Sequence, residues 1–130
     1  MHTHLSNAAQ QYAKVGMQTG VSAADPHQLI CMLYDGAIHW LDEGRRLMQA
    51  QKIGPKCEAI TRVIDIVGEL RGSLNLEAGG ELAKNMDSLY EYMEVRLVEA
   101  NLKNSPDMLS EVAALIGELR SAWYAIKPGK

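Results

Sequence analysis

Residues 25–37 read Asp-Pro-His-Gln-Leu-Ile-Cys-Met-Leu-Tyr-Asp-Gly-Ala, and that order is the opening of a helix. Asp25 offers a side-chain acceptor to the first free N–H groups. Pro26 fits the first helical position, and Gln28 stands at the third, where its side chain can reach back to the cap. Stepping outward at about 100° per residue places Leu29, Leu33, Ala37, Trp40, Leu41, Gly44, Leu47 and Met48 on one face. Gln28, Asp35, Asp42 and Arg46 fall on the other. The spacing predicts a helix over 26–50. Gly36 and Gly44 inside it cost about 1 kcal/mol each relative to Ala, which predicts close approach by another helix.

Three more segments carry the same period. After Gly54-Pro55, a helix over 55–76 bears Cys57, Ile60, Val63, Ile64, Ile66, Val67, Leu70 and Leu74. They spread over about 180°, wider than the ~100° stripe that one core contact needs. Glu77-Ala78-Gly79-Gly80 interrupts the pattern. A helix over 80–103 has Leu82, Met86, Leu89, Tyr90, Met93, Leu97 and Ala100 as its stripe, with Tyr92, Val95, Val98 and Leu102 outside it. Ser105-Pro106-Asp107 repeats the start signal, and 106–126 carries a narrow stripe from Met108 to Trp123. No segment alternates as a strand does. The expected fold is all-α: an antiparallel up-down four-helix bundle over 25–126. A flexible N-terminal arm, 1–24, precedes it, and a short tail, 127–130, follows. The arm's apolar anchors are Tyr12, Val15 and Met17.

Composition narrows the function classes. The chain has 130 residues, enough for one domain with a modest core. Its 13 basic against 16 acidic residues give a net charge of −3, which disfavours a nucleic-acid partner. No apolar run approaches the ~20 residues of a membrane span, so direct membrane insertion is not expected. The start, Met-His-Thr-His-Leu-Ser-Asn, lacks the basic and apolar blocks of a signal peptide, which predicts a cytosolic protein. Cys31 and Cys57 form no Cys-x-x-Cys pair and read as free thiols.

Chemistry is not expected. A di-iron site in a helical bundle needs Glu-x-x-His on two helices. Here His27 follows Ala24 and His39 follows Gly36 at that spacing. No hydrolase elbow, zinc-protease helix or nucleotide loop occurs. His39 reads as a surface partner of Asp35, four residues before it. Catalytic, cofactor-binding and metal residues are therefore none, and the protein is expected not to be an enzyme. What remains is surface. Ile60 and Ile66 on the second helix, and Tyr92, Val95, Val98 and Leu102 on the third, exceed what one core needs. They are the candidate contacts for an amphipathic or extended partner segment. A general helical adaptor, or a homodimer through the same face, is the alternative.

The stretch Pro26-His27-Gln28-Leu29-Ile30 with Met32-Leu33-Tyr34-Asp35-Gly36-Ala37 resembles the first core helix of the flagellar secretion chaperones, the FliS family. Ser73 to Ala83 resembles that family's link between its second and third helices. Leu89-Tyr90-Glu91-Tyr92-Met93, Arg96 to Asn101, the Asn104-Ser105-Pro106-Asp107 turn and Glu118 to Trp123 follow in the family's order. Gly68, Gly72 and Cys31 depart from its pattern. The resemblance implies a chaperone for the C-terminal segment of flagellin, held in the cytosol and presented to the membrane protein of the export gate, without ATP. It implies client contact on the second and third helices. It matches Tyr12 to the arm tyrosine tied to export-gate docking, and it makes the arm a displaceable cover of the client site.

Overall fold

The computed structural model describes residues 25–126, and every expected helix is in it. These are α1 (Pro26–Gln49), α2 (Ile53–Gly72), α3 (Gly80–Lys103) and α4 (Pro106–Ala125). No strand occurs among the described residues. The arm, with Tyr12, and the tail lie outside them.

The two Pro-led starts form as their sequences predict. Asp25 Oδ1 accepts from the N–H groups of His27 at 3.0 Å and Gln28 at 3.4 Å. Ser105 Oγ accepts from the N–H of Met108 at 3.2 Å. Each cap satisfies donors that no earlier turn can reach.

α2 differs from its predicted span at both ends. It begins at Ile53, with Gly54-Pro55 inside its first turn rather than before it. The first N–H groups of a helix have no partner one turn back, so proline at the third position forfeits no bond. The helix then ends at Gly72, four residues early. Ser73 Oγ donates to Leu70 O at 2.7 Å, and Asn75 Oδ1 takes the N–H of Ala78 at 3.0 Å, so local side chains satisfy the backbone. The following turn requires glycine. A Cβ on Gly79 would lie 2.5 Å from Ala83 Cβ, and Gly80 sits at φ +60°.

The helices form a ring in chain order. α1 packs on α2 and α4, α3 packs on α2 and α4, and the backbones of diagonal partners stay apart. The packing of α1 on α2 is the most extensive, and that of α3 on α4 the least. Neighbours are antiparallel. His27 at the start of α1 meets Trp123 at the end of α4, with the ring Nε2 2.9 Å from Trp123 O and the indole N–H donating to His27 O at 3.1 Å. Their rings stack with centroids 5.3 Å apart. Toward the other end of α1, a Cβ on Gly44 would rest 3.4 Å from Ile60 Cγ1 of α2 and 3.8 Å from Leu109 Cδ1 of α4. That is the close approach its place in the stripe predicts.

Leu33, Leu41, Ile60, Val63, Ile66, Val67, Leu70, Met93, Leu97, Val112 and Ile116 are buried in the centre. One polar bond crosses it. The hydroxyls of Tyr34 on α1 and Tyr90 on α3 meet at 2.7 Å, joining the two diagonal helices. Burial is the main force holding both phenols above their ordinary titration range; Tyr90 is raised further by its hydrogen bond to Tyr34.

Candidate partner-binding face

The surplus of apolar residues divides sharply between α2 and α3. Ile60 and Ile66, expected on the surface, are core residues with 1% exposure each. The wide apolar arc of α2 is covered because the helix is clasped on both sides, by α1 and by α3. Of the six candidate contacts, four remain on the surface: Tyr92, Val95, Val98 and Leu102.

Val95, Val98 and Leu102 stand at i, i+3 and i+7 of α3, on one line down its outer face. They are 54%, 49% and 77% exposed. Charged groups fix the helix on both flanks of this line. Toward α4, Arg96 Nε donates to Glu111 Oε1 at 2.9 Å, and the Tyr92 hydroxyl also donates to Glu111. Arg96 further reaches Glu99 at 3.1 Å. The bond from Tyr92, followed by those from Arg96, holds the Glu111 carboxyl below the usual carboxylate range. The same bond holds the Tyr92 phenol above its own.

Toward α2, Arg71 gathers three acids of α3. Its Nε lies 2.7 Å from Asp87, Nη1 3.0 Å from Glu94 and Nη2 3.7 Å from Glu91. With polar bonds on either side, α3 cannot roll its outer row inward without breaking them. The row is therefore a fixed apolar surface. A partner that covers it gains about 1.5–3 kcal/mol for each aliphatic side chain taken fully from water, less the part already covered.

No described group suggests catalysis. The Cys31 thiol is buried, and burial is the first cause that pushes its titration up, which makes it inert. Among the described residues, no three His, Cys, Asp or Glu side chains converge to hold a metal. No described helix is long and apolar enough to cross a membrane. Asp35 pairs with Arg120 and with the Tyr124 hydroxyl at 2.9 Å, whereas the expected partner His39 packs edge-on against Trp40. α4 runs beside α1 at that point, and its guanidinium outcompetes the imidazole.

Sequence reasoning missed Lys56, which is 3% exposed. Its ammonium donates to Asn101 O at 3.0 Å and Asn104 Oδ1 at 2.7 Å, at the C-terminus of α3. There the carbonyls left without helical partners favour a cation. The signal was available, since Lys56 shares the face of Ile60, Val63, Val67 and Leu70.

The family model described as "Flagellar protein FliS" matches residues 8–130. The chain is 45% identical over 119 residues to the "Flagellar secretion chaperone FliSB" of Pseudomonas aeruginosa, covering 92% of this chain and 94% of that protein. It is 41% identical over 124 residues to the "Flagellar secretion chaperone FliS" of Vibrio cholerae, covering 95% and 91%. The protein of the same name from Salmonella typhimurium is 37% identical over 126 residues, covering 96% and 93%.

Proposed function

From the premise that this chain belongs to the flagellar protein FliS family, we propose that it is a non-enzymatic chaperone that holds the C-terminal segment of flagellin before export. The observation that carries the reading is the apolar row Val95–Val98–Leu102, fixed on the outside of α3 between two sets of ion pairs. A chaperone of this kind needs a standing apolar surface and no reactive group. An unstructured client wraps such a surface and is ordered as it binds. Holding it keeps the client's own apolar faces from joining other subunits. The encounter precedes secretion, which places the protein in the cytosol. Delivery to the export gate falls to the segment around Tyr12, and residues 1–24 serve as a cover that the client displaces.

Calorimetric titration with a peptide of the flagellin C-terminal segment tests the reading. A 1:1 complex with a negative heat-capacity change is expected. Leu102→Asp should weaken it by about tenfold or more, because a buried charge without a partner is costly. Circular dichroism should show unchanged helicity. Full affinity in Leu102→Asp and Val95→Asp together would discard the row as the client site. Removal of residues 1–20 should raise affinity if they cover the row. A dimer on size-exclusion chromatography that ignores the peptide would favour the self-association reading.

A further inference from the structure

The charge around the α3 row is unbalanced, and the imbalance is local. On the α2 side one guanidinium, Arg71, serves Asp87, Glu91 and Glu94. On the α4 side Arg96 serves Glu99 and Glu111. Two cations therefore face five carboxylates, an excess of three negative charges. The net charge of the whole chain is −3. Outside these two clusters its acidic and basic residues cancel, so the entire excess flanks the apolar row.

The α2 side is the more acidic, and its carboxylates are not equally engaged. Arg71 lies 2.7 Å from Asp87 and 3.0 Å from Glu94, but 3.7 Å from Glu91. The Glu91 side chain is 63% exposed. It stands four residues before Val95 and seven before Val98, so it continues the row by one turn toward the start of α3. From Glu91 onward the line reads one acid and then three aliphatic side chains, at the alternating four-three spacing of a helix seam.

This charge sorts the possible occupants. A second copy of the chain would bring the same negative excess against itself, which opposes pairing of two rows. A neutral apolar segment that covers Val95 would strip water from the neighbouring carboxylate and put nothing in its place. A cation one turn away from the apolar contacts removes both penalties. We infer that the row takes a segment carrying Lys or Arg one helical turn beyond its apolar contacts, and that Glu91 is the residue that selects for it. Attraction to the cation and the cost of desolvating Glu91 under any other side chain act in the same direction. Calling that segment flagellin's rests on the proposed function; the preference itself stands on Glu91 and the row.

Nitrogen-15 NMR titration of the full chain with two synthetic amphipathic helices tests it. Both carry leucine at i, i+3 and i+7. One has lysine, the other glutamate, one turn outside the leucines at each end. The lysine helix should give saturable shifts at the amides of Val95, Val98 and Leu102. It should bind about three- to tenfold more tightly than the glutamate helix, the scale of an exposed pair gained against a like-charge contact. Raising salt from about 0.02 to about 0.5 M shortens the Debye length severalfold and should erase most of the preference. Glu91→Gln should also erase most of it while keeping helicity, since Arg71 retains its two nearer partners. Asp42→Asn makes the same charge change on the diagonal helix α1 and should leave the preference intact. Equal affinity of the two helices, no saturable binding of the lysine helix at millimolar concentration, or equal effects of Glu91→Gln and Asp42→Asn would overturn the inference. The flagellin peptide is titrated alongside. Its failure to bind would discard the proposed function and leave the two helices to decide the preference. Its binding to the row with no response to Glu91→Gln would keep the proposed function and overturn the inference.

Discussion

α2 and α3 present the same puzzle in sequence and opposite answers in space. Both carry more apolar residues than one stripe accommodates. In α2 the excess is core, with Ile60, Val63, Ile66, Val67 and Leu70 each at 1% exposure or less. In α3 the excess is surface, at Val95, Val98 and Leu102. The difference lies in what surrounds each helix. α2 lies between the most extensively packed neighbour, α1, and the inner face of α3, so a half-circle of its surface is covered. α3 packs less closely on α4, and its charged flanks at Arg96–Glu111 and Arg71–Asp87 hold the outer line outward. The breadth of an apolar arc therefore reports how many neighbours a helix has, and exposure depends on which side chains flank the arc.

The most direct way to break this contrast is to shorten one side chain from each set. Ile66→Ala should cost about 2–5 kcal/mol, the range for large-to-small changes in a packed core. Val98→Ala should stay within about 0.5 kcal/mol, as surface changes do. Urea denaturation followed by circular dichroism reads both. Similar losses at the two sites would mean that α3 is rotated and that the row is core.

The inner face of α3 gives the next test. Tyr34→Phe leaves the Tyr90 hydroxyl buried without a partner, at about 1–3 kcal/mol. Removing both hydroxyls should recover most of that loss, since neither is then stranded. A double variant no better than the single would show that water already serves Tyr90, and that the bond between diagonal helices does not set the position of α3.

These contrasts mark how far the sequence could be read. The four helices were legible because Asp25-Pro26 and Ser105-Pro106 are local signals, settled within one turn by bonds to His27, Gln28 and Met108. The limits of α2 were less so. Gly54-Pro55 suits a position just before a helix as well as one within its first turn, and Ser73 ends the helix through a bond that periodicity does not register. The row on α3 was legible as residues off the stripe. Ile60 and Ile66 were misplaced because a wheel drawn for one helix does not show that two neighbours close on it. Lys56 was missed for a related reason: its partners, Asn101 O and Asn104, are more than forty residues away and belong to a helix end.

Glycines sharpen the comparison further at smaller energy. A Cβ on Gly68 of α2 would meet only Glu94 Oε2 of the neighbouring helix, at 3.9 Å, and one on Gly72 would stand in open space. Gly68→Ala should therefore stabilise the bundle by about 1 kcal/mol, the helix-propensity gain. Gly79→Ala, which would drive a methyl into Ala83 and Asn75 O, should destabilise it. A loss of stability in Gly68→Ala would show that α2 and α3 sit closer at Glu94 than described.

The smallest effect concerns the flank that keeps the row outward. Glu111 is held below its ordinary value of 4.5, first by the Tyr92 bond and then by Arg96. A carboxyl whose folded value is depressed stabilises the fold above its unfolded value, and that contribution disappears as pH falls through the folded one. The α3–α4 seam should accordingly weaken as pH drops below about 4.5, not as it rises from neutrality. Because Glu111 lies near solvent, salt should blunt the effect. Hydrogen exchange of α3 amides, measured at stepped pH in the parent and in Glu111→Gln, isolates it. The parent should lose protection faster than the variant on acidification. Parallel curves would remove Glu111 as the source of the acid sensitivity, and the outward hold on the row would then rest with Arg71 and the acids it gathers.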